Sequence, residues 1–267
     1  MLISPFGGGV GGGFFFINNE QLRTKNYYNK MFMNEIMIQV ENLQKQYGGV
    51  TVLNLPELTI AKGEMFGLVG NNGAGKTTFF RCLLDLIRPS AGMALSKGEK
   101  VQGSEHWKCY TGAYLDEGFL IDYLTVEEYF DFLGKSHRMS QGDIADFITG
   151  MSDFFNDELI GKNKYIRDFS KGNQKKVGIA AALMGNPEIL ILDEPFTNLD
   201  PSSQIRLRRM LAELNTQHSV TMLISSHDLM HVTEISSRIV ALQKGIAVHD
   251  LQTNEHTLRE LEAFFAV

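Results

Sequence analysis

The feature that most constrains the fold is the glycine loop GNNGAGKTT at residues 70–78. A short apolar stretch at residues 64–69 precedes the loop, and apolar residues at helical spacing follow it over residues 76–87. Glycines let backbone amides converge on phosphate oxygens without side-chain clashes, and a helix that begins there points its positive end at the same anion. Because strand, loop and helix follow in that order, the sequence predicts a nucleoside triphosphate site rather than an accidental glycine-rich turn.

The whole loop is predicted to contact the nucleotide. Its residues are Gly70, Asn71, Asn72, Gly73, Ala74, Gly75, Lys76, Thr77 and Thr78. Lys76 is expected to reach the β- and γ-phosphates and to take part in catalysis, and Thr77 is expected to ligate Mg²⁺. The loop therefore predicts a nucleotide and a magnesium ion as cofactors.

A second motif, ILILDE at residues 189–194, is an apolar strand that ends in two carboxylates. Asp193 is predicted to bind Mg²⁺ through water. Glu194 is predicted to be the base that polarises the attacking water, since phosphoryl transfer depends chiefly on positioning and charge stabilisation. Alone, such a pair also fits a cap of the next helix. The apolar strand and the upstream phosphate loop favour the catalytic interpretation.

Hydrophobic periodicity divides the rest of the chain into strand-rich and helix-rich parts. Short apolar stretches over residues 36–60, with a turn at residues 47–49, predict antiparallel strands. Residues 118–169 show short helical patterns, many aromatic side chains and a capping-box signature from Thr125 to Glu128, which predict a helical insertion.

After the insertion, helices and strands alternate. The predicted helices are residues 171–184, 202–214, a segment from Asp228 and 254–265, and the predicted strands are residues 189–192, 220–225 and 239–242. Such alternation indicates a parallel sheet covered by helices. The predicted fold class is therefore α/β: a P-loop NTPase core with a parallel sheet, an N-terminal antiparallel β subdomain and an inserted α-helical subdomain.

The first residues differ in composition from the rest of the chain. Two glycine triplets and three consecutive phenylalanines lie in residues 7–16, so we expect residues 1–35 to be a disordered extension or the product of a start codon placed too early. The expected ATPase domain covers residues 36–250, with its helical subdomain at about residues 118–170, and residues 251–267 form a C-terminal helix.

Charge and composition restrict the partners. The formal net charge of -6 opposes non-specific binding to nucleic acid, so no nucleic-acid partner is expected. Cys82 and Cys109 match no disulfide or metal-ligand framework, which fits reduced thiols in a cytoplasmic protein. No apolar run approaches the length of about 20 residues that a spanning helix needs, so any membrane role requires a partner.

The segment FSKGNQ at residues 169–174 distinguishes among triphosphatases. It resembles the signature sequence of ATP-binding cassette (ABC) ATPases, and the resemblance extends from about residue 37 to residue 245. By this resemblance the nucleotide is ATP, and adenine stacks on Tyr47. Asp200 lies in the dimer-contact loop, and His227 is the switch histidine that contacts the γ-phosphate and holds the attacking water.

In the family, the signature closes over ATP held by a second cassette, which implies a homodimer or paired cassette. Ser170, Lys171, Gly172 and Gln174 are the corresponding residues here. Read from the residues alone, Ser170 and Gly172 open a helix whose hydroxyl, amides and positive end suit an anion. Ser170 is equally compatible with a simple helix N-cap.

Two residues depart from the family pattern. Glu117 stands where the family usually has a glutamine that meets Mg²⁺ or the lytic water, and it adds a negative charge near the metal. Lys171 replaces a small residue of the signature. It either supplies a positive charge near the partner's phosphates or points to solvent.

The resemblance implies the ATPase subunit of a membrane transporter, similar to the cassettes of ABC-2 type exporters. A separate transmembrane permease would provide the only contact with the membrane, at the inner face of the cell membrane, and a surface near Phe119, Tyr123 and Phe130 is a candidate docking groove unless these rings pack in the core. One alternative is a soluble mechanochemical ATPase acting on nucleic acid or ribosomes. A small-molecule kinase is a further alternative, but it leaves the signature and His227 unexplained.

Overall fold

A computed structural model describes residues 36–266 of the chain. The expectation for residues 1–35 therefore lies outside the described residues. The strands are β1 (Ile36–Tyr47), β2 (Val50–Ala61), β3 (Met65–Val69), β4 (Ala91–Ser96), β5 (Glu99–Lys100), β6 (Thr111–Tyr114), β7 (Ile189–Leu192), β8 (Thr221–Ser226), β9 (Arg238–Gln243) and β10 (Ile246–Gln252). The α-helices are α1 (Lys76–Leu83), α2 (Val126–Ser136), α3 (Gln141–Gly150), α4 (Ser152–Phe155), α5 (Lys171–Leu183), α6 (Pro201–His218), α7 (Leu229–Ile235) and α8 (Thr257–Phe265).

The strands form two sheets. The first is antiparallel, with the order β2-β1-β4-β5, and contains the hairpin expected around residues 47–49. The second has the order β10-β9-β3-β8-β7-β6. Its strands from β9 to β6 are parallel, and only β10 runs antiparallel. Because the carboxyl ends of parallel strands meet at one edge, this sheet brings the ends of β3, β7 and β8 together.

Apolar packing covers both faces of the central sheet. Phe79 and Phe80 of α1 are fully buried with Leu68 and Ile191 of the sheet, and each such burial contributes about 2 kcal/mol. On the other face, Val177 of α5 joins a second cluster with strand residues of β7 and β8. The α/β class with a parallel sheet, predicted from the alternation of elements, is confirmed.

Helices α2, α3 and α4 make up most of the segment predicted as a helical insertion. Thr125 and Glu128 form the capping box expected at the start of α2. Phe130 is fully buried and stacks on Phe155, with the ring centroids 5.8 Å apart. Phe119 and Tyr123, by contrast, are more than half exposed. Of the three aromatics proposed for a docking groove, Phe130 is therefore a core residue.

Several boundaries differ from the sequence predictions. The helix expected over residues 76–87 ends at Leu83, because Asp85 adopts a positive φ of 50° and the amides of Leu86 and Ile87 both bond to the carbonyl of Arg81. Helix α6 continues to His218, beyond the predicted end at residue 214. The prediction also missed β4, β5 and β10, which are strands at or near a sheet edge with exposed residues.

Within residues 36–266, no helix combines the length and the apolar character needed to cross a bilayer.

Candidate functional site

The phosphate loop joins β3 to α1 in a backbone conformation that only glycine tolerates. Gly75 precedes α1 with φ 111°, and no side chain caps this helix end. A Cβ atom at Gly75 would lie 2.9 Å from the carbonyl oxygen of Val52, so a larger residue would displace the backbone. The first amides of α1 consequently remain available to an anion at the helix N-terminus.

Lys76 begins α1 and points back across the loop. Its side chain is 6% exposed, its Nζ donates to the carbonyl oxygen of Gly70 at 2.6 Å, and it lies 3.2 Å from Glu194 Oε1. The loop carbonyl and the carboxylate together hold a buried ammonium beside the open amides of α1. This arrangement places a fixed positive charge where phosphates would bind.

Asp193, at the end of β7, is held by two hydroxyl groups. Thr77 Oγ1 donates to Asp193 Oδ2 at 2.5 Å, and the Ser225 hydroxyl donates to Oδ1. Burial raises the pKa of Asp193, while the hydrogen bonds from Ser225 and Thr77 act in the opposite direction. The carboxylate and the Thr77 hydroxyl are thereby brought together at the entrance of α1.

Glu194 joins Lys76 of the loop to His227. Its Oε2 lies 2.8 Å from His227 Nδ1 and accepts the His227 backbone N–H at 3.3 Å, while its Oε1 faces Lys76. Glu194 has a positive φ of 50°, a conformation that is uncommon for residues other than glycine. Its side chain is 23% exposed and that of His227 is 49% exposed. The carboxylate thus lies at an accessible edge between two cationic or protonatable groups.

Two further predicted site residues, Tyr47 and Glu117, lie at the end of β1 and after β6, respectively. Tyr47 ends β1 with about half of its surface exposed, and Lys45 Nζ lies 4.8 Å from the centre of its ring. Glu117 follows β6, and the Tyr114 hydroxyl donates to its Oε1 at 2.9 Å. Burial, followed by the charge of Glu117, raises the pKa of Tyr114. The tyrosine therefore stays protonated and donates to the carboxylate.

The signature residues form a separate group at the start of α5. Ser170 caps this helix by accepting the Asn173 amide at 3.3 Å, as the capping alternative predicted. Gln174 Nε2 donates to the carbonyl oxygens of Arg167 and Phe169 and closes the preceding turn. Lys171 Nζ lies 3.3 Å from Gln174 Oε1, and a Cβ atom at Gly172 would meet the carbonyl oxygen of Asn198 at 2.5 Å.

The cleft beside Ser170 is formed by residues of the helical segment, of the turn before α5 and of the first turn of α5. These residues are Asp157, Glu158, Lys162, Lys164, Asp168, Phe169, Ser170 and Asn173, and none of them belongs to the phosphate loop. Asp200 caps α6 by accepting from the Ser203 amide and from the hydroxyls of Ser202 and Ser203. These hydrogen bonds lower the pKa of Asp200 well below its usual range.

Comparison with known proteins decides between the sequence alternatives. The family model described as ABC transporter matches residues 53–197, which include the phosphate loop, the signature and the carboxylate pair. The chain belongs to the ABC transporter family. It is an ATP-binding cassette, and the interpretation of the chain as a transporter ATPase is confirmed.

Curated relatives extend the similarity beyond the matched domain. The bacitracin transport ATP-binding protein BcrA of Enterococcus faecalis is 34% identical over 231 residues, which cover 84% of this chain and 72% of that protein. The phosphonates import ATP-binding protein PhnC of Alcaligenes faecalis is 34% identical over 229 residues, or 80% of this chain and 82% of that protein.

Solved cassettes share the fold. A dimeric post-hydrolysis state of the cassette MJ0796 bound to ADP and Pi superposes with a TM-score of 0.73 at 23% identity, covering 82% of this chain and 99% of that one. For cbiO1 of Clostridium perfringens, part of the transporter complex cbiONQ, the TM-score is 0.71 at 24% identity, with 87% and 94% covered. The P-loop NTPase fold of this cassette is therefore confirmed.

The residues of the cassette fit ATP and a magnesium ion. The Thr77 hydroxyl and the Asp193 carboxylate offer oxygen ligands 2.5 Å apart, and oxygen donors are those that Mg²⁺ prefers. The ammonium of Lys76 and the uncapped start of α1 suit a polyphosphate. Together these groups provide donors of the right type for both partners of a metal-bound nucleotide.

Three residues of the site escaped the sequence analysis. Ser225 Oγ accepts a hydrogen bond from the Glu194 backbone N–H at 3.0 Å and donates to the Asp193 carboxylate, and thereby joins β8 to both residues of the carboxylate pair. Lys175 and Thr197 bind the backbone carbonyl of Glu194. A polar pair ending the apolar strand β8 was a visible signal for Ser225. Nothing in the spacing of Lys175 indicated that its ammonium turns toward the carboxylate strand.

Proposed function

We propose that this cassette hydrolyses ATP at a site formed by its phosphate loop and the signature of a second copy, and drives a separate transmembrane subunit. The contacts from Lys76 through Glu194 to His227 carry the proposal for the catalytic residues. They connect a phosphate-binding cation, a carboxylate and an imidazole in one chain of contacts at the edge where the strands end.

Each residue has a role that follows from its contacts. Lys76, held between a carbonyl and a carboxylate, neutralises charge on the phosphates. Glu194 accepts a proton from the attacking water, because its carboxylate is accessible and has no hydroxyl partner comparable to those on Asp193. His227 orients Glu194 through two hydrogen bonds to Oε2, one from its backbone N–H and one at its Nδ1.

Thr77 and Asp193 are the proposed magnesium site, with Glu117 as a further ligand from the end of β6. When bound, the metal ion supplies positive charge that offsets the charge developing on the phosphates. Ser225 keeps the carboxylate of Asp193 turned toward Thr77, so that both oxygen donors face the same side of the loop.

The remaining nucleotide contacts are proposed from their positions. The backbone amides of residues 70–78 bind the phosphates, and the exposed ring of Tyr47 stacks on adenine. Ser170, Lys171, Gly172 and Gln174 complete the site of the second copy, with Asp200 at the contact between copies. The position of the start of α5 supports this assignment. The cleft beside Ser170 contains no residue of the phosphate loop of the same chain, so a phosphate bound there would come from another copy.

The transmembrane subunit is proposed to dock beside the end of β6. Leu86 and Phe119 are both about half exposed there and line a cleft with Trp107 and Leu120. The name of BcrA assigns that relative to a transport system, and cbiO1 is part of a transporter complex, which supports a membrane partner. The protein would then lie in the cytoplasm against the inner face of the membrane.

Substitution of Glu194 by glutamine tests this function. The variant keeps shape and hydrogen-bonding capacity but removes the base, so we expect turnover to fall by about 10²- to 10⁴-fold while ATP still binds. Light scattering during gel filtration should show an ATP-dependent dimer of Glu194→Gln. Turnover equal to that of the parent would exclude Glu194 as the base, and a monomer at saturating ATP would contradict the paired site.

A further inference from the structure

Lys175 is a buried cation that the proposed reaction does not use directly. It lies on α5, five residues after Ser170, and is 4% exposed. Its Nζ donates to the backbone carbonyl of Glu194 at 2.8 Å and to Thr197 Oγ1 at 2.5 Å. Burying an ammonium costs free energy unless it is hydrogen-bonded and its charge is offset. Both of these hydrogen bonds join Lys175 to the loop that follows the carboxylate strand.

The carbonyl that Lys175 binds belongs to the residue with the unusual backbone. Glu194 has a φ of 50°, a left-handed conformation that is unfavourable for a residue with a Cβ atom. Thr197 Oγ1 donates to the same carbonyl at 2.8 Å, so two donors hold this peptide group. Because the peptide orientation determines where the Glu194 side chain leaves the backbone, these contacts affect the direction of its carboxylate.

Three carboxylates lie near the buried ammonium of Lys175 and partly offset the cost of its burial. Burial lowers the pKa of Lys175, and the carboxylates of Glu117, Glu194 and Asp193 oppose this effect. The Tyr114 ring lies 5.9 Å from its Nζ, and the Tyr114 hydroxyl binds Glu117. Lys175 thus lies among the groups that end β6 and β7, and offsets part of their negative charge.

We propose that Lys175 is a positioning residue, which holds the backbone of Glu194 so that its carboxylate points at the attacking water. The inference rests on the proposed role of Glu194 as the base. Since α5 also begins with the signature, the same lysine connects the helix that faces the second copy to the catalytic loop. A displacement of α5 on closure of the dimer is transmitted to the carbonyl of Glu194 by one hydrogen bond.

The test compares Lys175→Met with Lys176→Met in the full chain. Methionine keeps the length of the side chain and removes the charge and the donors. Lys176 is the matched control, because it is 1% exposed on the same helix, but its Nζ binds Glu158 at 2.9 Å in the helical segment. We expect Lys175→Met to lower kcat about 10- to 100-fold with KM and ATP affinity changed less than about 3-fold. Lys176→Met should leave kcat per folded molecule near that of the parent.

Introducing Lys175→Met into the Glu194→Gln variant distinguishes a positioning role of Lys175 from a purely structural one. A residue that acts only through the base has nothing left to position, so Lys175→Met should reduce the residual turnover of Glu194→Gln less than about 2-fold. An equal loss of kcat in both lysine variants, or a full additional loss in Glu194→Gln, would overturn the inference while leaving the base assignment intact. Parent-like turnover in Glu194→Gln itself would refute the base assignment first.

A second variant keeps the test decisive if Lys175→Met does not fold. Thr197→Val preserves the shape of Thr197 and removes both the acceptor of the Lys175 ammonium and a donor to the Glu194 carbonyl. We expect kcat to fall only about 3- to 10-fold with ATP affinity unchanged, because the Lys175 ammonium still donates to the Glu194 carbonyl after both hydrogen bonds of Thr197 are lost. A folded Thr197→Val with the kcat of the parent would count against positioning through this contact.

Discussion

The phosphate-loop region and the signature region of this cassette differ in how far one chain completes them. Around the loop, Lys76 and Glu194 contact each other, and Asp193 is bound by side chains from α1 and β8. At the signature, the side chains of Ser170 and Gln174 form hydrogen bonds within the turn and helix to which they belong. The first region is organised before a ligand binds. The second presents an ordered helix end outward, as the proposed contact with a second copy requires.

Of the substitutions that test this difference between the two regions, loss of Lys76 should lower ATP turnover most. Lys76→Ala removes the fixed cation of the organised region, so we expect ATP turnover to fall more than about 100-fold and ATP affinity to fall with it. Lys97→Ala is a suitable control, since Lys97 pairs with Glu188 at a distance of 2.6 Å on an exposed part of the surface. Nucleotide binding and turnover measure the effect. Retained turnover in Lys76→Ala would contradict the assignment of the loop.

A charge at the signature should have an intermediate effect. Aspartate is a good N-cap and suits the positive helix end, so Ser170→Asp should keep the stability of α5. Its negative charge would face the phosphates of the second copy, and we expect turnover to fall about 10- to 100-fold. Binding of ATP to the single chain should persist. The measurement is turnover, with ATP-dependent dimer formation as the second readout.

The paired variant Ser170→Ala separates capping from recognition. It should lower the free energy of unfolding by about 1 kcal/mol, since it removes the cap without adding charge. If Ser170→Asp turns over ATP like the parent, Ser170 is only an N-cap and does not face the phosphates of a second copy.

The smallest effect concerns Asp200, which caps α6 beside the expected contact between copies. Because its folded pKa is lowered, its carboxylate stabilises the fold above the unfolded pKa, and this contribution is lost as the pH falls through the folded pKa. Asn also caps helices, so Asp200→Asn should cost only about 0.5 kcal/mol at neutral pH, through the lost charge at the helix start. Urea unfolding should show that the difference from the parent begins to shrink as the pH falls below the unfolded pKa of about 3.9, and that it vanishes only once the pH lies below the lowered folded pKa. A difference independent of pH would assign the cost to packing.

Local patterns were sufficient wherever a residue's neighbours in sequence are also its neighbours in space. The capping box at Thr125 and Glu128 and the turn after Tyr47 belong to this class. The loop around Lys76 was predictable for the same reason, because the phosphate loop consists of one strand, one loop and one helix that are consecutive in the sequence. The end of α1 was predicted wrongly, since the positive φ of Asp85 leaves no mark in the hydrophobic spacing of residues 84–87.

The sequence by itself determined the P-loop fold class, the phosphate loop and the family to which the carboxylate pair and the signature belong. The tertiary structure decided which groups meet: Ser225 binds the Asp193 carboxylate and the Glu194 backbone amide, and Lys175 binds the carbonyl of Glu194 from helix α5. The physical reason is that periodicity reports burial and local backbone shape. The direction of a buried ammonium or hydroxyl depends instead on the packing of strands and helices far apart in the chain.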